Sequence, residues 1–429
     1  MGKLTVEDAW ISAGCFLSSI AVAGLVLILS TSGWDVNLNT DYRAAYRPIA
    51  ESLLAGNGLT TPRGDPATYY PPGYSLLIAG TLAAGRWAGI PEAVAILALQ
   101  MLCLGTSSIL LFLTARATFG RASSLLAPLA WVTCPLVLWL ARQPSVEIPF
   151  MVVLSGSFCC LAWTLVPPAR ALVLSALAGV LVGAAMLIRS IALGLGFVLA
   201  VIIVMVRRKE RLQTWMPLVT AMLLGNLVVV APWEAWAWYR TGTWVLLSTG
   251  GPTSVLDGLT YAVNPDKTYR APTGVPTDVS ALMCEIQNRR DEARTPAGLT
   301  ALLVDEMRLH PLASLKLAGL KTVRAWFATD SGRSQGAVMG LQVAYLLLIA
   351  ASLRAARRLG GPPGDLATGV AFVMIYFWGM TALVLSIVRY MVPALALSFT
   401  LLPALISRPL PPTAPARNAG IPGRPASPW

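Results

Sequence analysis

Charge is what this 429-residue chain has least of. Only 12% of its residues are charged, while 56% are hydrophobic. An ordinary globular domain is about a quarter charged. A soluble fold of this length has no interior that would hide so much apolar surface, so a soluble enzyme is excluded and the excess faces lipid. Histidine occurs once, at His310, which excludes a histidine-rich metal centre. Cysteine is sparse. Cys15, Cys103, Cys134, Cys159 and Cys160 fall in apolar runs, where they behave as small hydrophobes, and Cys284 stands alone in a polar loop. Neither a disulfide framework nor a zinc-type Cys/His spacing is present. The chain also lacks a clear internal repeat, on which many transporters are built. Acids are outnumbered, with 20 Asp and Glu against 32 Lys and Arg. The arginines collect at the ends of apolar runs, which is the pattern of membrane orientation and not of a nucleic-acid partner.

What is present is a series of long apolar runs. A hydrocarbon core of about 30 Å takes about 20 residues of helix. Backbone groups in lipid must bond internally, and the runs lack the alternation of barrel strands, so helices are expected. Residues 11–30 form the first span, too long for a signal peptide and without a convincing cleavage site. Further spans are expected at 93–115, 122–141, 148–166, 171–188, 190–206, 213–231, 336–353, 366–387 and 390–407. The piece 73–85 is too short to cross. With it outside, the basic residues Arg116, Arg121, Arg170, the run Arg207 to Arg211, the run Arg354 to Arg358 and Arg408 all fall on one side. The positive-inside rule makes that side cytoplasmic. The fold class is therefore an all-α polytopic membrane protein of about ten spans with both termini inside. Residues 1–407 form one integral membrane domain. It has a first outer loop at 31–92 with juxtamembrane helices and a second large outer loop at 233–335, and a disordered cytoplasmic tail follows at 408–429. Segment 312–328 sets Lys316, Lys321 and Arg324 among leucines, Trp326 and Phe327. That pattern suits a helix in the interface plane, with a tilted span as the alternative.

The spans hold few ionisable groups, so chemistry is expected in the outer loops. Asp41 lies close to the end of the first span, before an amphipathic helix from Arg47 to Ala55, and Tyr69-Tyr70-Pro71-Pro72-Gly73-Tyr74 follows. Prolines fix that backbone and the aromatics suit an interface. Each of these residues has a plain structural alternative. Asp41 can cap the next helix. Glu147 can be a solvated loop acid. Arg189 and Arg389 can snorkel from helix ends, Tyr69 and Tyr70 can be interface aromatics, and His310 reads as structural. Gly56-x-Gly58 lacks the strand and helix of a dinucleotide site. Gly179-x-x-x-Gly183 reads as a helix-packing face.

The order of these features resembles the C-type glycosyltransferases, which include bacterial relatives of the protein O-mannosyltransferases and of the lipid A aminoarabinose transferases. The first outer loop carries an acid and tyrosine at Asp41-Tyr42, a Leu-Leu-x-Gly-x-Gly turn at Leu53 to Gly58, and then Tyr70-Pro71-Pro72. Glu147 stands where the family often has a second outer acid, and Ile188-Arg189-Ser190 is similar to its basic residue between two spans. Ala231-Pro232-Trp233 with Arg240, Gly242 and Gly250-Gly251 resembles the entry to its second large loop. His310-Pro311 precedes the interfacial segment, and Arg389-Tyr390-Met391-Val392-Pro393 is similar to the start of its last core helix. The chain departs from the family at Tyr42, where many relatives have a second acid that Asp35 only partly replaces. It departs again at Glu147, where some have aspartate.

The resemblance implies an inverting transfer of a hexosyl or pentosyl group from a polyprenyl-phosphate carrier to an acceptor hydroxyl at the outer face of the plasma (inner) membrane. It makes Asp41 the base, with Glu147 as a second catalytic acid. Arg189 and Arg389 become ligands of the donor phosphate, assisted by Arg43 or Arg240, because guanidinium stays charged and binds oxygens in pairs. Tyr46, Tyr69, Tyr70 and Tyr390 become substrate contacts. The implied partners are the lipid-linked sugar, a lipid, glycan or protein acceptor, and membrane lipids. No cofactor is required, and a divalent cation shared by Asp41 and Glu147 is compatible with oxygen ligands. Two other functions stand beside this one: a flippase for lipid-linked sugars, and a non-catalytic subunit of a glycan-assembly complex.

Overall fold

The computed structural model describes residues 4–30, 33–165, 170–260, 275–330 and 332–407. The tail expected at 408–429 lies outside the described residues. In chain order the helices are α1 (Val6–Leu29), α2 (Arg47–Leu54), α3 (Gly73–Trp87), α4 (Glu92–Arg116), α5 (Arg121–Ser124), α6 (Leu126–Val132), α7 (Pro135–Leu140), α8 (Glu147–Leu165) and α9 (Ala171–Ile188). They continue as α10 (Leu195–Arg207), α11 (Leu212–Thr241), α12 (Gly251–Thr260), α13 (Thr277–Asn288), α14 (Pro296–Leu309), α15 (Pro311–Arg324), α16 (Gln335–Leu359), α17 (Gly361–Leu383) and α18 (Val392–Ser398). Among the described residues no named strand forms. The fold is all-α and polytopic. Among the described residues, eight helical segments are each long and apolar enough to cross a membrane: α1, α4, α8, α9, α10 with the turn before it, α11, α16 and α17.

The other two expected spans are broken. Residues 122–141 fold as α5, α6 and α7. Pro135 opens α7 and leaves Cys134 extended, at φ −70° and ψ 117°, because a proline disfavours helical backbone in the residue before it. Residues 390–407 fold as α18 followed by a buried 3₁₀ run, Phe399–Leu405, that contains Pro403. The span expected at 213–231 instead runs on through Pro232 to Thr241. Segment 73–85 becomes α3, 15 residues long and so about 22 Å, short of a crossing. Cys284, expected in a loop, sits on α13.

The most extensive helix pairing is between α9 and α11. A Cβ on Gly179 would lie 1.9 Å from the Met222 carbonyl oxygen, and one on Gly183 2.7 Å from Val229 Cβ. Small residues let helix backbones approach where lipid offers no hydrophobic drive. Gly179→Ala is expected to cost about 1–3 kcal/mol through overpacking, read as a lower melting temperature in detergent. Gly24→Ala, within α1 and with nothing within 4 Å of its Cβ, should not lower the melting temperature and is expected to raise it slightly, since glycine costs a helix interior up to about 1 kcal/mol relative to alanine.

At one end of the bundle Asp8 accepts from Arg116 Nε at 3.1 Å and Arg121 Nε at 3.0 Å, clamping α1 to the end of α4. At the other end α12 to α15 build a separate small core around Leu256, Leu282, Ile286, Leu302 and Leu317. Lys321 of α15 donates to the carbonyls of Leu383 and Val384 at 3.3 and 2.9 Å, capping the end of α17. Burial pushes this amine from its ordinary 10.5 down to about 7. Below about pH 7 both folded and unfolded chains carry the proton, and the buried charge costs stability in full. Between about 7 and 10.5 the unfolded chain holds a proton that the folded one has lost, so stability rises with pH. The stability gap between wild type and Lys321→Met is expected to shift by a few kcal/mol at most across that window. A gap independent of pH would remove this account of Lys321.

Candidate functional site

The site is assembled where four chain breaks meet. α1 ends at Leu29, and Asp41 follows it, at the head of a π-helical turn, Tyr42–Tyr46, that runs into α2. Glu147 opens α8. Arg189 leaves α9 in extended conformation, at φ −145° and ψ 124°. Tyr376 holds that break by donating to the carbonyls of Ile191 and Leu193 at 2.6 and 2.7 Å. Arg389 lies in the short 3₁₀ turn between α17 and α18.

The Tyr-Pro-Pro-Gly segment has a mechanical role here. A Cβ on Gly73 would lie 2.6 Å from the Leu187 carbonyl oxygen, so only glycine lets α3 seat against the end of α9 beside Arg189. Gly250 works in the same way, since its Cβ would meet the Tyr69 carbonyl at 2.6 Å. The two outer loops then join through backbone bonds, Thr249 N to Thr68 O at 2.8 Å and Gly250 N to Tyr69 O at 3.2 Å.

The result is a cavity of about 280 Å³. Asp41, Glu147, Arg189 and Arg389 all line it, with Tyr46, Tyr69, Tyr70 and Tyr390. Tyr46 packs on Tyr70 and Tyr74 with ring centroids 4.9 and 4.8 Å apart. Tyr390 carries both guanidiniums over its ring, Arg189 at 4.5 Å and Arg389 at 5.3 Å. Burial, and then the Asp41 carboxylate, push the Tyr70 hydroxyl well above its ordinary range, so it stays a donor; it points to Asp41 Oδ1 at 3.5 Å.

The two acids differ in environment. Glu147 is 2% exposed. Its Oε1 accepts from Arg189 at 2.8 Å and its Oε2 from Ser145 Oγ at 2.7 Å. Arg389 Nε stands 3.7 Å from the same Oε1. Asp41 has a side chain 44% exposed, only 3.9 Å contact with Arg389, and no capping hydrogen bond to the following turn. Arg389 also meets Asp330 at 3.6 Å. All three of its acid contacts are longer than hydrogen bonds, and its buried Nε donates to nothing. Burial opposes charge on Arg389, but the surrounding acids, Asp330 first, hold it protonated.

This geometry does not suit a cation shared by Asp41 and Glu147. Arg389 reaches both carboxylates, and both oxygens of Glu147 are already engaged. Arg43 and Arg240 are exposed and do not line the cavity. Tyr42, the departure at the second acid, is buried and donates to Glu92 at 2.9 Å. Asp330 escaped the sequence reading. It follows the interfacial segment in a polar stretch without a motif, and is brought in by a backbone bond from Val388 N to Ala328 O at 2.8 Å.

Residues 71–236 match the family described as dolichyl-phosphate-mannose-protein mannosyltransferase. Among solved structures, the archaeal oligosaccharyltransferase AglB from Archaeoglobus fulgidus, in complex with an inhibitory peptide and a dolichol-phosphate, aligns with 93% of this chain. The alignment covers 50% of AglB at 14% identity, with a TM-score of 0.51. The apo form of the Archaeoglobus fulgidus oligosaccharyltransferase gives 91% and 50% coverage, 14% identity and a TM-score of 0.50. ArnT from Cupriavidus metallidurans bound to undecaprenyl phosphate gives 92% and 77% coverage at 15% identity, with a TM-score of 0.43. No curated protein matches the sequence. The chain spans about half the length of the archaeal structures, and the likeness to them is one of fold. Together with the family match, it bears out the resemblance to the C-type glycosyltransferases.

Proposed function

We propose that the cavity transfers a sugar from a polyprenyl-phosphate carrier to an acceptor hydroxyl, with inversion, at the outer face of the plasma membrane. The observation that carries this reading is the convergence of Asp41, Glu147, Arg189 and Arg389 from four distant segments on one cavity. The family match and the fold likeness support the class of reaction.

In this reading the phosphate of the donor takes the free Nε of Arg389 and displaces the long contacts to Asp41 and Asp330. A charge-assisted bond to a guanidinium is among the strong hydrogen bonds. Asp41, released, accepts the proton of the acceptor hydroxyl as that oxygen attacks the anomeric carbon. The bond from that carbon to the phosphate oxygen breaks on the opposite side, and the negative charge gathered there stays with Arg189 and Arg389. Glu147 holds the two guanidiniums in place. The aromatic wall of Tyr46, Tyr69 and Tyr70 supports the sugar.

The test is sugar transfer, or slow donor hydrolysis, by purified protein in vesicles offered a panel of polyprenyl-phosphate sugars. Turnover of at least one donor is expected. Movement of labelled lipid across the bilayer without transfer would replace this reading with the flippase.

A further inference from the structure

A second cluster of chemistry lies outside the cavity, among α13, α14 and α15. Glu306 and His310 are four residues apart, on α14 and at its C-terminal cap, and so share a face. Glu285 of α13 stands opposite, with His310 Nε2 3.0 Å from its Oε2. One ligand atom from each of the three residues lies within 4.8 Å of the others.

Glu306 is the member that plain ion pairing does not explain. It is 2% exposed. Its Oε1 accepts from Arg289 Nη1 at 2.8 Å, while Oε2 is buried without any hydrogen-bond partner. A buried carboxylate oxygen left bare is costly, and such exceptions call for a ligand or a role. Arg289 does not supply what is missing, since its Nη2 is turned to Glu292 at 2.8 Å and Asp305 at 3.5 Å. Three carboxylates (Glu292, Asp305 and Glu306) thus share the Arg289 guanidinium, and a fourth, Glu285, stands beside them at His310.

We propose that Glu285, Glu306 and His310 bind a divalent transition cation, of which Zn²⁺ fits best. An imidazole beside two carboxylates suits zinc, whereas calcium and magnesium prefer oxygen alone. Three protein ligands leave a fourth position for water. Bonds of about 2.0–2.2 Å in a tetrahedron place ligand atoms roughly 3.3–3.6 Å apart, a few tenths of an ångström beyond the 3.0 Å between Glu285 and His310. The ion takes the place of the proton between His310 Nε2 and Glu285, which is released to solvent, and gives the bare oxygen of Glu306 its partner. It ties α13 to the α14–α15 junction. α12 packs on α13 and contributes Gly251 and Ser254 to the cavity lining, so the ion steadies one wall of the cavity without touching substrate.

The experiment uses the full chain, free of any polyhistidine tag, purified in detergent and stripped with chelator. It is titrated calorimetrically with ZnCl₂ and, separately, MgCl₂. One equivalent of Zn²⁺ is expected, with Mg²⁺ weaker by about 100-fold or more. His310→Ala and Glu306→Gln should each weaken zinc by more than the roughly 10–100-fold that loss of an outer partner costs. The His310 side chain is 43% exposed, so its replacement leaves the small core intact, and an unchanged melting curve of the metal-free variant verifies this. Absence of zinc binding by the wild type would overturn the site. So would equal affinity in His310→Ala, or loss of binding in Cys284→Ser alone, which would assign the metal to the neighbouring thiol.

Discussion

Asp41→Asn should lower sugar transfer by about 10²–10⁴-fold, the usual contribution of a positioned general base, while leaving the fold and donor binding in place. Asparagine keeps the shape and the long approach to Arg389 but has no lone pair basic enough to take the acceptor proton. Asp41 is the acid in the cavity with capacity to spare, since its contacts run to 3.5 Å with Tyr70 and 3.9 Å with Arg389. Those contacts are too weak for their loss to move the melting temperature. The measurements are initial rates in vesicles, donor affinity and a melting curve. Undiminished transfer by Asp41→Asn would sink the proposed base.

Glu147→Leu should do the opposite and fail on stability first. Two arginines share this buried carboxylate, Arg189 by a direct bond and Arg389 at 3.7 Å. Removing one partner of a buried ion pair leaves charge uncompensated and costs about 3–5 kcal/mol. The expected signature is a large drop in melting temperature. Glu147→Leu combined with Arg189→Met should regain part of it, because a buried pair replaced by apolar residues is often tolerated. A Glu147→Leu protein that melts like wild type but is inactive would return Glu147 to a direct part in the chemistry.

The spans were legible because lipid imposes length and apolarity together, and charge marks the side. At 122–141 and 390–407 the residues are apolar as expected, but Pro128, Pro135 and Pro403 interrupt the helical hydrogen bonds. Hydropathy does not register that. Within the site, Arg189 and Arg389 stood out because an ion beside an apolar run is costly without a function, whereas Asp41 and Glu147 were marked by the resemblance to the C-type glycosyltransferases. Asp330 did not stand out, since an acid in a polar loop looks like any other and only a tertiary backbone bond brings it to Arg389. Arg43 lies outside the cavity because of its helix phase. With Tyr42 and Tyr46 both turned inward, Arg43 faces out.

That phase is set by the π-helical turn, in which Arg47 N bonds to Tyr42 O, five residues back. Such a turn holds one residue more than the α-helix would. Deleting Ala44, whose side chain is exposed, would restore the tighter winding and swing everything before it by about 100° relative to α2. Asp41 would then point away from Arg389 although every reactive group remained in the chain. Spacing therefore matters as much as identity: a chain that keeps the aspartate and tyrosines but loses one residue between them loses the aim of its carboxylate.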